Sequence, residues 1–378
     1  MNTTARPLTA ARGSVRRILL LVHLWIGVIL GIPLVLIGLT GSVLVFEDEL
    51  RDLFSPPPQG AVGEARPLSA ILAAAQAAAP EGMRALFLAA PEEPGKMASV
   101  RFASPGAPPG PGGTQILVDP VSLRTSHLPP NGGWLRQMFN LHAQLFVPGR
   151  DGRWLVGWFG IAMCVLGISG LIMWWPRRSN WQTAFQVNPK ARGARFFREL
   201  HGAVGIWCWV VFMAVSVSSV YLAYPQTVGD IVRAVLPARD LRLTAVPRVE
   251  PVADMKPIGP DEAVALASAD VPDGKLRFVA LPQRQDQAIR VNMGGPDYRH
   301  GTPMISVFVD PWAKRVIEVR DPREYSAGET ALAWMHAVHA GDGFGWPWRI
   351  LVFLSGLLPS VFVGSGVTLW LLQRRRRA

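Results

Sequence analysis

Cysteine is almost missing from this 378-residue chain: there are two, Cys164 and Cys208, both inside apolar runs. A disulfide framework is thereby excluded, as are a CxxC redox pair and the CxxCH that attaches haem covalently. Two small buried thiols are the plain reading. Charge is scarce too, at 17% of residues, against roughly 25% in soluble domains. No GxGxxG follows a strand and there is no P-loop, so no nucleotide-binding domain is evident. GxSxG and triad spacings are also missing, which leaves serine and cysteine catalysis without support.

What fills the chain instead is apolar: hydrophobic residues make up 49%, with 14 Trp. Four stretches, 18–46, 154–175, 199–224 and 348–372, reach the ~20 residues needed to cross a hydrocarbon core. The first is preceded by arginines but exceeds the ~7–15-residue core of a signal peptide, so it reads as an uncleaved anchor. The net charge of +11 follows the same division. Segments 1–17, 176–198 and 373–378 hold fourteen of the 38 basic residues and none of the 27 acidic ones. In a four-span topology all three lie on one side, which the positive-inside rule makes cytoplasmic. The charge is a topology signal and does not indicate a nucleic-acid partner. Segments 47–150 and 225–345 fall on the outer side, each large enough for a small domain.

The chain reads as a duplication. Arg66–Glu92 and Lys256–Gln283 each have the pattern of a helix followed by a strand. A strand-like Ala98–Ser104 corresponds to Gln287–Met293, and Thr114–Thr125 to Ile305–Val319, both containing Val-Asp-Pro. Asp-Pro after a β-branched run signals a turn, because Pro cannot extend the ladder. Between the strands of the first unit, Ser104–Gly113 is too rich in Pro and Gly to pack. The spans match as well: Arg17–Gly27 parallels Arg195–Gly205, and Ser169–Trp175 parallels Ser365–Leu371. The fold class expected is an α-helical integral membrane protein with four transmembrane helices in two parallel span–domain–span repeats, carrying two small α+β outer domains. Parallel repeats of this kind place equivalent residues at equal depth.

That geometry singles out the histidines. His127 and His300 sit among Pro and Gly and read as solvated loop residues. His23 and His201 each lie near the cytoplasmic end of a span, with Gly27 or Gly205 four residues on, on the same helical face. The plain alternative, an interfacial histidine bonded to a lipid phosphate, does not explain two of them at equivalent positions. On the outer side His142 precedes span two, and His336 and His339 precede span four. His142 is 28 residues before Gly170 and His339 is 27 before Gly366, so His339 is the better partner; His336, 30 before Gly366, is the alternative. Zinc would require about four clustered ligands, and no Cys or paired carboxylate stands beside these positions. Two pairs of imidazoles suit haem iron instead, and bis-His ligation favours electron transfer over oxygen binding. Without CxxCH the haems would be b-type; two matched pairs suggest two, and His336 allows other arrangements. Arg16, Arg17, Arg136, Arg153, Arg198 and Arg349 flank the sites and are placed to pair with propionates, although span-end arginines also serve topology alone.

These features resemble the PepSY-associated transmembrane-helix family, also described as iron-regulated membrane proteins. The resemblance covers nearly the whole chain. It is carried by His-x-x-x-Gly at His23 and His201, by the Leu141–Arg178 stretch, by the closing VHAGDGFGWPWRILVFLSGL and SGVTLWLLQRR, and by the two Val-Asp-Pro units, which look like PepSY domains. It implies an inner-membrane ferric-siderophore reductase with His23, His201, His142 and His339 as haem ligands; His336 departs from the plain pattern. The partners implied are a ferric siderophore, the lipid bilayer and an electron donor: a cytoplasmic partner reductase, reduced flavin or quinol.

Two other classes are weighed against it. A membrane-anchored PepSY binding or regulatory module would leave the matched histidines unexplained. An iron-chelate transporter gains from Pro33, Gly38 and Gly41, which hint at a kink in span one. Against it, no span carries a charged residue at mid-membrane.

Overall fold

The computed structural model describes residues 7–91, 93–103, 113–127, 133–176, 181–242 and 245–375, with side chains from residue 15 onward. Residues 104–112 of the Pro- and Gly-rich loop, together with Arg177 and Arg178 of the basic loop and Arg376 and Arg377 of the tail, lie outside the described residues. In chain order the helices are α1 (Pro7–Ile29), α2 (Gly31–Leu44), α3 (Glu47–Phe54), α4 (Leu68–Ala78), α5 (Gly133–Gln144), α6 (Gly149–Trp174), α7 (Trp181–Ala184), α8 (Gly193–Ala223), α9 (Pro225–Val235), α10 (Pro260–Asp270), α11 (Ala327–Ala333), α12 (Met335–Ala340) and α13 (Trp346–Arg375). The strands are β1 (Arg84–Ala89), β2 (Ala98–Ala103), β3 (Thr114–Val118), β4 (Thr125–His127), β5 (Lys275–Ala280), β6 (Ile289–Gly294), β7 (Ile305–Asp310) and β8 (Arg315–Arg320). They form two compact units, one of residues 1–47, 134–231 and 335–378, the other of 48–133 and 232–334.

In the first unit α6, α8 and α13 are 26, 31 and 30 residues long and apolar enough to cross a membrane. At about 1.5 Å per residue each extends roughly 40 Å or more, beyond a ~30 Å hydrocarbon core. α6 stops before Pro176 and α8 before Pro225, since a residue preceding proline disfavours the helical conformation. The apolar run 18–46 is two helices, bent by 65° between α1 and α2, so the chain has four crossings only if that pair counts as one broken span. The break follows from Pro33. Its nitrogen has no hydrogen for the Ile29 carbonyl, and its ring would press on that carbonyl. The ladder resumes where the Leu34 N–H donates to the Leu30 carbonyl at 3.0 Å.

Packing within this unit depends on small residues. α6 packs on α8, and α13 packs on α2 and α8. The buried positions of α6 are Gly152, Gly157, Gly160, Ala162, Gly167 and Ser169. α2 and α13 meet at Gly38 and Gly356, where a Cβ on either would strike the other's carbonyl. Acyl chains solvate leucine as well as another helix does, so contact between spans comes from close backbone approach. The large side chains turn outward: Ile32 is 74%, Trp207 71% and Val210 70% exposed. Such a surface calls for lipid around it.

The second unit is an eight-stranded antiparallel sheet in the order β4-β3-β2-β1-β5-β6-β7-β8. The two strand groups join edge to edge through β1 and β5, with Leu88 opposite Val279. The Leu281 N–H donates to the Leu86 carbonyl at 2.8 Å and the Ala90 N–H to the Arg277 carbonyl at 3.0 Å, which extends the seam. Pairing removes an open edge from each group. Ile71 and Ala75 of α4 pack on Leu88, Val100 and Ile116, and Ala263 and Ala267 of α10 pack on Val279, Val291 and Val307. Asp261 at the start of α10 caps α4 across the seam. Its carboxylate accepts the Leu68 and Ser69 N–H groups at 2.6 and 3.0 Å, which Pro67 at the N-cap cannot do. β6 and β7 are buried on both faces, because Val249, Ala288, Phe308 and Trp312 form a second small core.

Both Val-Asp-Pro turns are held by their aspartates. Asp119 accepts the Ser122 hydroxyl at 2.6 Å and the Val121 N–H at 3.0 Å; Asp310 accepts the Trp312 and Ala313 N–H groups at 2.9 and 3.1 Å. The Ser122 hydroxyl, against the upward push of burial and with help from neighbouring amides, holds the Asp119 carboxyl down at about 2. Burial raises Glu329, but the Arg239 guanidinium and the Ser326 amide of the α11 capping box outweigh it and hold that carboxyl at about 2. A carboxyl depressed on folding stabilises the protein above its unfolded value of about 4, and that contribution is lost as pH falls through the folded value. Asp119→Ala is therefore expected to cost about 1–2 kcal/mol near neutral pH. In denaturant melts of the detergent-solubilised protein, variant and wild type should converge as pH is lowered from 4 toward about 2.

Candidate functional site

His23 on α1 and His201 on α8 face each other with ring centroids 6.1 Å apart and planes at 71°. They line an apolar cavity of about 1030 Å³, measured to its open mouth, with Gly27, Gly170, Gly205, Gly366, Trp174 and Phe362 among its walls. A Cβ on Gly27 would meet nothing within 4 Å, and one on Gly205 only Phe362 at 3.9 Å, so these glycines keep space open.

His142 on α5 and His339 on α12 form a second pair, with centroids 6.0 Å apart and planes at 46°. His336, on the same short helix as His339, is exposed. Gly41 of α2 lies against the His142 ring, where a Cβ would sit 2.7 Å from Cε1. Arg349 at the start of α13 donates from Nε and Nη2 to the Val45 carbonyl at 3.0 and 2.6 Å and lies over the Phe46 ring. His127 is exposed on β4, a strand where a loop was expected, and His300 is exposed with its Nε2 3.5 Å from Asp48.

The four paired histidines share one hydrogen-bonding pattern. His142 Nδ1 lies 2.8 Å from the Ile37 carbonyl and His339 Nδ1 3.2 Å from the Val215 carbonyl; a carbonyl only accepts, so both nitrogens carry hydrogen. His23 Nδ1 lies 2.9 Å from Ser169 Oγ, whose own hydrogen goes to the Val165 carbonyl at 2.6 Å. His201 Nδ1 lies 2.9 Å from Ser365 Oγ, whose hydrogen goes to the Val361 carbonyl at 2.7 Å. Each serine thus accepts from its histidine. With Nδ1 protonated in all four, a neutral ring has its lone pair on Nε2, the arrangement seen when a histidine binds a metal.

Among the described residues no group of three or more His, Cys, Asp or Glu is placed to hold a metal ion. Two imidazoles alone do not satisfy a bare ion that takes about four ligands. They would suffice for a metal that brings its remaining ligands with it. Imidazole–metal bonds of about 2 Å on opposite sides of one ion put ring centroids roughly 6 Å apart, which both pairs match. The residues present fit a planar metal macrocycle. The four histidines stand out in the sequence; their acceptors, Ser169, Ser365 and the Ile37 and Val215 carbonyls, do not. The repeated Ser-Gly of α6 and α13 was the available signal for the serines.

A family model described as PepSY-associated TM region matches residues 20–373. No curated protein matches the chain. The glycines give a pair of opposite expectations. Gly41→Ala must displace the His142 ring and is expected to destabilise by about 1–3 kcal/mol. Gly27→Ala meets no protein neighbour and, in ligand-free protein, is expected to be neutral or to stabilise by up to about 1 kcal/mol through helix propensity. Thermal melts of the detergent-solubilised variants check both signs.

Proposed function

The chain belongs to the PepSY-associated TM family, and on that premise we propose that it is a haem-carrying reductase of the bacterial inner membrane that passes electrons outward to ferric siderophore iron and releases Fe(II). In this reading α1 and α2 form one broken span, the chain crosses four times in two parallel halves, both termini are cytoplasmic, and the sheet unit is periplasmic. His23 with His201, and His142 with His339, hold one b-type haem each. The observation that carries the proposal is the shared state of the four rings: facing pairs at 6.1 and 6.0 Å, every Nδ1 donated and every Nε2 left with its lone pair.

Held between two histidines, a bound haem would supply single-electron chemistry and would be closed to oxygen. The protein's part is to hold, separate and insulate. Facing helices fix each pair of rings, the glycines leave room for a flat ligand, and the apolar walls exclude water. The acid-free segment 176–198 favours the cytoplasmic side, where a partner reductase, reduced flavin or quinol delivers electrons. On the outer side each Fe(III) takes one electron. Hard oxygen donors matched to Fe(III) hold Fe(II) less well, so the metal leaves its chelator.

The 65° break in the first apolar run is the one feature that favours a transporter, since transporter sites sit on broken helices. Here the broken segment contributes the Ile37 carbonyl that accepts His142 Nδ1. This ties the break to the histidine pair.

Vesicles carrying the haem-loaded protein, with a reductant sealed inside and a ferric trihydroxamate plus a ferrous-specific chelator outside, test the proposal. Outside Fe(II) should appear with wild type and fall at least tenfold with His23→Ala. Equal rates for wild type, His23→Ala and protein-free vesicles would overturn it.

A further inference from the structure

Ser169–Gly170 on α6 and Ser365–Gly366 on α13 stand at corresponding points of the two halves, and haem ligation by itself gives them no task. We propose that Ser169 and Ser365 are positioning residues that aim His23 and His201 and lower the reduction potential of the metal group these histidines hold, independently of the second site. The inference rests on the haem reading above.

The two contacts are alike in detail. Each serine is almost wholly buried, at 2% and 4% exposure, and each accepts Nδ1–H at 2.9 Å. Each hydroxyl donates back to the carbonyl four residues earlier, at 2.6 and 2.7 Å. That bond would satisfy a serine inside a span without any partner. The histidine contact is therefore additional, and it turns a hydroxyl lone pair toward the ring. The following glycine lies beside the ring: a Cβ on Gly170 would lie 3.4 Å from His23 Cε1, and one on Gly366 3.7 Å from His201 Cε1, both ordinary contact distances. Each half thus supplies a histidine from its first apolar run and, from its second, the hydroxyl that orients it.

An acceptor on Nδ1–H fixes the tautomer and makes Nε2 more basic. A more basic axial ligand stabilises Fe(III) over Fe(II), and hydrogen bonding around the ligands is one of the protein's levers on potential. The second pair is built differently. His142 donates to the main chain alone at Ile37, and His339 to the Val215 carbonyl at 3.2 Å with Ser218 Oγ at the same distance. Side-chain changes at Ser169 and Ser365 therefore reach one site and spare the other.

The test is a redox titration of the haem-loaded detergent-solubilised protein, followed by visible and low-spin EPR spectra. It compares wild type, Ser169→Ala/Ser365→Ala and Ser169→Thr/Ser365→Thr. The alanine pair is expected to shift one component to higher potential and alter one EPR signal, with the other component unmoved and threonine returning both toward wild type. Loss of haem from one site with alanine and its retention with threonine would support the same role. Unchanged potentials with both haems present, equal shifts of both components, or threonine behaving as alanine would overturn the inference alone. A wild-type protein without haem would overturn the haem reading and this inference with it.

Discussion

The bond from each paired histidine's Nδ1–H to a fixed acceptor is the constraint on which the rest of this molecule turns. In a hydrocarbon environment an unpartnered N–H costs several kcal/mol, so a ring placed among spans must find an acceptor. The acceptor it finds decides which nitrogen faces inward. Here two acceptors are hydroxyls already tied to their own helix and two are main-chain carbonyls. One of those carbonyls belongs to α2, just past the break at Leu30. Pro33 has a local consequence, a broken ladder, and a tertiary one, since α2 leaves the line of α1 and presents Ile37 to α5.

The same solvent explains the composition. The bilayer gives no reward for hiding leucine, so tight contact between spans comes from glycine, alanine and serine. Those residues do a second service at the rings. Gly41 admits the His142 ring, while Gly27 and Gly205 leave the cavity beside His23 and His201 open. Packing economy and site architecture are then one pattern of small side chains, read at different depths.

Much of this was legible in the chain. The long apolar runs give α6, α8 and α13, since length and hydropathy are local properties. The helix-then-strand patterns give α4 with β1 and α10 with β5, and Val-Asp-Pro marks two turns whose aspartates bond their own following amides. Spacing to the Ser-Gly pairs preferred His339 to His336, and it is His339 that meets His142. Other features were hidden for physical reasons. Joining of the two strand groups through Leu88 and Val279 depends on edges that meet only in three dimensions. β6 carries Arg290 and Asn292 in alternation with apolar residues, yet residues around Val249 and Trp312 bury its second face. Ser169 and Ser365 looked like marks of duplication. Their bonding to histidines 146 and 164 residues away could not be read from spacing.

The most direct measurement of the central claim is a count of b-type haem per chain, by pyridine haemochrome, in protein purified from cells supplied with haem. Two low-spin haems are expected in wild type, one in His23→Ala, one of different spectrum in His142→Ala, and none in the double variant. A haem-free wild type, or a count that none of these substitutions changes, would contradict it.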